Sequence, residues 1–157
     1  MKKVNFFGHE ISKLIVGDNP MTGHSYIEDK TPSSEMLDYY TAENIKATLK
    51  HMEELGVNGM LPLADPYIVR LLKEHQSAGG QIQYIWQPYM PLDQQVSMRE
   101  MSKLNTIGIY HQGTTTDFNF EKGNIDVIKE NIKVWRDMGI PVGLGTHRPE
   151  VDRKSVV

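Results

Sequence analysis

The chain has 157 residues, 39% hydrophobic and 24% charged, with Lys and Arg at 17 against Asp and Glu at 20. That composition describes one globular domain, and its formal charge of -3 offers no basic field to attract nucleic acid or anionic lipid. Cysteine is absent, which excludes disulfides, thiolate catalysis and cysteine-ligated metal clusters.

In chain order, Phe6-Phe7-Gly8-His9-Glu10-Ile11-Ser12-Lys13 reads as a short hairpin turning at Gly8-His9. Leu14-Ile15-Val16 is a first apolar run, closed by Gly17-Asp18-Asn19-Pro20. After a polar stretch, Thr41 caps a helix whose apolar positions Ile45, Leu49, Met52 and Leu55 follow helical spacing, and Gly56 ends it. Met60 to Ala64 forms a second strand, followed by a helix around Ile68, Leu71 and Leu72 that closes at Gly79-Gly80. Ile82 to Trp86 is a third strand, with Gln87-Pro88 after it. Ile107-Gly108-Ile109-Tyr110 is a fourth, followed by a loop from His111 to Thr116. Ile125 to Met138 is amphipathic, with Ile128, Ile132 and Trp135 on one stripe, and Pro141-Val142-Gly143-Leu144 opens a fifth strand after Gly139.

Strands that are apolar without alternation are those buried on both faces, and their alternation with helices predicts an α/β fold. The spacing of the strand starts suits the roughly 31 residues per unit of a (β/α)8 TIM barrel. The pattern alone also admits a flavodoxin-like open sheet. The reading favours a partial barrel over residues 1–151, about four βα units plus a fifth strand, with an N-terminal hairpin.

The ending Asp152-Arg153-Lys154-Ser155-Val156-Val157 is the hexapeptide encoded, in one frame, by a widely used sequencing adapter. Residues 152–157 are therefore expected to be a non-native tail. The strands would then be the start of a ring left incomplete, a C-terminally truncated fragment expected to be inactive even where its parent works. No apolar window approaches the roughly 18 residues of a membrane span, and no signal peptide is recognisable at the start. The expectation is a cytoplasmic chain with a small-molecule substrate and neither nucleic acid nor membrane as partner.

Chemistry in a barrel gathers where the strands end and the βα loops begin. The residues just past the apolar runs are Asp18, Asp65, Gln87, His111 and His147. Asn19 adds a second acceptor beside Asp18, and Trp86 lines a pocket if its strand ends there. Asp and Asn before Pro are also ordinary loop openings and helix caps, so each position has a structural reading beside the functional one. His111 is the sharpest candidate for proton transfer, as imidazole held at a strand terminus. Tyr67 could give a proton to a carbonyl or simply pack its ring at a helix start. No GxGxxG or GxxxxGK[ST] phosphate cradle occurs. A second reading takes Asp18, Asp65, His111 and His147 as metal ligands of a barrel hydrolase or isomerase. A third is a non-catalytic barrel that binds.

Several segments resemble the aldo/keto reductase superfamily. Phe7 to Gly17 is similar to its amino-terminal hairpin and first strand, and Leu55-Gly56-Val57-Asn58 to the "LGIN" that precedes its second. Ile109-Tyr110-His111-Gln112 resembles its fourth strand with the site histidine, and Trp135 to Glu150 the approach to its fifth. The resemblance implies NAD(P)-linked carbonyl reduction in a full-length parent, with Tyr67 at the proton-donor position and His111 at the histidine position. The family's Asp position falls on Pro62, and its Lys position falls where Gln87-Pro88 ends the third strand.

Overall fold

The chain opens with an antiparallel pair, β1 (Lys3–Phe6) and β2 (His9–Ser12), in a computed structural model that describes residues 1–25, 30 and 32–151. The expected non-native tail at 152–157 lies outside the described residues. The hairpin turns at Phe7-Gly8, one residue earlier than the sequence suggests. Both turn residues have positive φ, +48° and +93°, as a two-residue turn matching the strand twist requires. The Asn5 side chain accepts from the Gly8 N–H at 3.1 Å.

Five further strands form one parallel sheet: β3 (Val16–Gly17), β4 (Gly59–Leu61), β5 (Gln83–Trp86), β6 (Thr106–His111) and β7 (Val142–Leu144). Their spatial order is their sequence order, so each strand pairs with its predecessor, Val16 with Met60, Met60 with Tyr84, Ile109 with Val142. Register slips once: Tyr84 pairs with Thr106, but Ile85 pairs with Gly108, leaving one extra residue in β6.

Six α-helices lie between or after the strands: α1 (Ser33–Tyr39), α2 (Ala42–Glu54), α3 (Pro66–Ser77), α4 (Gln94–Met101), α5 (Gly113–Glu121) and α6 (Ile125–Arg136). Thr41 caps α2 by accepting from the Asn44 N–H at 3.3 Å, and Gly56, at φ +81°, supplies the left-handed residue beyond its end. Asp65 caps α3, accepting from Tyr67 and Ile68 N–H at 2.8 and 3.2 Å, with Pro66 at the first helical position. Helices α1 and α4 fall in stretches where the sequence shows no clear stripe. The segment from Gly113 onward, expected as loop, is the first turn of α5.

The two faces of the sheet are covered differently. Met60, Tyr84, Trp86 and Ile109 pack with Ile45 and Leu49 of α2, Ile68 and Leu72 of α3, Met98 and Met101 of α4 and Trp135 of α6. On the other face, Leu61, Ile85, Ile107 and Tyr110 meet Phe6 and Ile11 of the hairpin, with no helical residue among them. Polar clamps fix the hairpin near the amino ends of β4 and β5. Asn58 accepts from the Ser12 N–H at 2.6 Å and donates to the Glu10 carbonyl at 3.0 Å, and Gln83 donates to that same carbonyl at 2.8 Å. Gly59 admits Ile11, since a Cβ there would sit 2.6 Å from its side chain. Among the described residues, no helix is long and apolar enough to cross a membrane.

Candidate functional site

All five parallel strands point their carboxyl ends the same way, so the loops after them share one edge of the sheet. At that edge opens a cleft of about 720 Å³. Asp18 and Asn19 form one wall after β3, Gln87 follows β5, Gln112 and Gly113 follow β6, and Thr146 and His147 follow β7. Leu61 and Tyr110 lie in its floor, from the sheet face not covered by helices.

The β7 wall carries the best-defined pair. The Asp117 carboxylate, on α5 and 15% exposed, accepts from His147 Nδ1 at 2.9 Å and from the His147 backbone N–H at 3.0 Å. Its other oxygen accepts from the Thr146 hydroxyl. Burial works against ionisation of Asp117, but these three donors together hold it below the ordinary carboxylate range. An ionised carboxylate only accepts, so the ring proton of neutral His147 resides on Nδ1 and Nε2 presents a lone pair. The ring is 62% exposed and lines the cleft. Two glycines make room for it: a Cβ on Gly113 would come within 2.9 Å of the His147 ring, and one on Gly145 within 3.2 Å of the Tyr110 ring.

The β3 wall carries Asp18, 2% exposed. Its Oδ2 accepts from the Leu63 N–H at 2.8 Å, tying the loop after β3 to the loop after β4. Burial pushes its carboxyl above the usual range, against the stabilising Leu63 amide, with Asp65 adding repulsion and His24 a smaller attraction. Its carbonyl holds the 3-10 turn Asn19–Thr22 by accepting from Met21 at 2.8 Å. Gln87 donates its amide to the Leu61 carbonyl at 3.2 Å.

The remaining sequence candidates lie elsewhere. His111 is the last residue of β6 rather than the first past it, and it shares the helix-covered face with Ile109. It is wholly buried, its ring 5.6 Å from that of Trp135. Nδ1 lies 2.8 Å from the Thr116 hydroxyl and Nε2 3.4 Å from the Asn131 amide. Thr116 gives its own proton to the Gln112 carbonyl at 3.0 Å, so Nδ1 is the donor and Nε2 the acceptor. Burial lowers its pKa, opposed by a backbone hydrogen bond to Gln112. Trp86 is buried under the helices, its indole N–H donating to Thr106 at 2.8 Å. Tyr67 stands in the first turn of α3, 47% exposed, and neither it nor Asp65, the cap of that helix, lines the cleft.

The structure thus brings together Asp18, Asn19, Gln87 and His147 and separates them from Tyr67, Asp65, Trp86 and His111. It adds Asp117, Thr146, Gln112 and Tyr110, which sequence reasoning missed. The one available signal was Gln112, whose side chain caps α5 by accepting from the Thr115 N–H at 2.9 Å and so marks a helix start. Among the described residues no three His, Asp or Glu side chains converge as metal ligands. No protein-family model, curated protein or solved structure matches the chain.

Proposed function

We propose that the chain corresponds to the first five strands of a (β/α)8-barrel enzyme of the cytoplasm, acting on a small molecule by proton transfer at the strand-end cleft. His147 is the group that takes and returns the proton. The observation that carries this reading is the Asp117–His147 pair: one carboxylate oxygen binds both the ring and the backbone of the same histidine, fixing its tautomer and direction. A basic nitrogen so held at a cleft is what general base catalysis requires. The barrel reading draws support from the sequential strand order, the helices on a single face and the polar groups gathered at the carboxyl ends.

Among the reaction classes open to such a base, an isomerase-type abstraction of a proton next to a carbonyl fits best. NAD(P)-linked reduction on the aldo/keto reductase pattern would ask Tyr67 and His111 to meet the same substrate, and they lie apart from the cleft. The test is incubation of the protein in D2O with a panel of small hydroxy- and amino-substituted carbonyl compounds, reading deuterium incorporation by NMR. Incorporation is expected with the native chain, reduced about a hundredfold or more in His147→Gln and unaltered in Tyr67→Phe. Equal exchange in His147→Gln, or none with any compound, overturns the assignment and leaves a non-catalytic binding protein.

A further inference from the structure

The inference concerns what the cleft binds, and it rests on the strand-end cleft being the ligand site. Asp18 is a buried carboxylate with no ion-pair partner among the described residues; its bond to the Leu63 N–H satisfies one oxygen without supplying a charge. Burying a carboxylate without a counter-charge is costly, and Asp65 makes it worse. Gln87 commits its amide N–H to the Leu61 carbonyl, so its carbonyl oxygen is the unused end. His147, with its Nδ1 proton committed to Asp117, offers a lone pair at Nε2. No Lys or Arg side chain lines the cleft among the described residues. Three walls therefore present acceptors, one of them an uncompensated anion, and the Tyr110 ring in the floor adds a negative π face suited to a cation.

From this we infer that the cleft takes a small primary ammonium compound bearing a hydroxyl group, its ammonium paired with Asp18 and its remaining donors shared by Gln87 and His147. Phosphorylated and carboxylated compounds are repelled by the same arrangement, because nothing in it neutralises an anion.

Three probes of one size and different charge test this: 2-aminoethanol, ethylene glycol and glycolate. Binding is read on the ¹⁵N-labelled full chain from the Leu63 amide resonance, whose N–H donates to Asp18. The expected result is that 2-aminoethanol shifts Leu63 at concentrations about tenfold below ethylene glycol, that glycolate leaves it unmoved, and that added salt weakens the amine alone. Asp18→Asn keeps an acceptor for the Leu63 amide while removing the charge, and is expected to abolish the preference with an unchanged melting temperature or a higher one. Glu100→Gln, an acid remote from the cleft, retains it. The inference is overturned by equal response to 2-aminoethanol and ethylene glycol, by binding of glycolate, by no response to any probe, or by an Asp18→Asn variant that keeps the preference. Should Asp18→Asn not fold, the charge series and its salt dependence in the native chain decide. A native chain that shows the amine preference yet exchanges no deuterium separates failure of the proton-transfer reading from failure of this one.

Discussion

Removing the Asp117 carboxylate by Asp117→Ala deletes three hydrogen bonds at once, those from the Thr146 hydroxyl, the His147 N–H and the His147 ring. The first two are charge-assisted and largely shielded from water, each contributing about 1.5 kcal/mol. The third involves an exposed ring and contributes about 0.5 kcal/mol. Allowing for incomplete additivity, the loss is about 3 kcal/mol, which for a domain of this size lowers the melting temperature by roughly 6–12 °C. Thermal denaturation followed by circular dichroism measures it. Because Asp117 titrates lower in the folded chain than its ordinary 3.8, its contribution is fully present above that pH and is lost as pH falls through the lowered value. The native chain and Asp117→Ala should therefore converge in stability in strong acid. Long-range ¹⁵N correlation on the histidine rings gives a second readout, with the Nδ1–H tautomer of His147 dominant only when Asp117 is present. A variant within about 0.5 kcal/mol of the native chain, with the tautomer unaltered, would refute the reasoning that one carboxylate organises this wall.

Gly59→Ala drives a methyl group against Ile11, and overpacking of this kind should cost about 1–3 kcal/mol, measurable by urea denaturation, with loosened hairpin amides in hydrogen exchange as its local mark. His111→Ala removes a buried ring satisfied at both nitrogens, so it should cost about 2–4 kcal/mol while leaving ligand binding in the cleft unaltered; loss of binding without loss of stability would return His111 to the site. Since the folded pKa of His111 is lowered below its ordinary 6.5, the native chain should lose stability as pH falls below that value toward the lowered one, and a variant lacking the ring should lose less.

The alternation of strands and helices was legible because both signals are periodic: Ile45, Leu49 and Met52 mark the buried side of α2, and apolar runs mark β5 and β6. Asp18 and His147 were legible as residues that follow such runs. His111 was misplaced because Ile107-Gly108-Ile109-Tyr110 is apolar toward both faces, so nothing in it tells which face the next residue joins or that the strand includes it. Asp117 was invisible for a different reason. Helix α5 buries Thr116 rather than an apolar stripe, and its Gly-Thr-Thr-Thr start reads as loop. The pairing of Asp117 with His147 spans 30 positions in sequence, a separation over which local patterning carries no information.

The sequential strand order has a bearing on how the molecule is made. Each strand hydrogen-bonds only to the strand preceding it, so every addition to the sheet closes a loop of modest length and waits for nothing synthesised later. Growth can proceed unit by unit as the polypeptide leaves the ribosome, with Asn58 and Gln83 locking the first hairpin in place as soon as β4 and β5 emerge. The Asp117–His147 contact, which needs β7, comes last, so an assembly intermediate would be structured well before its reactive histidine is in position.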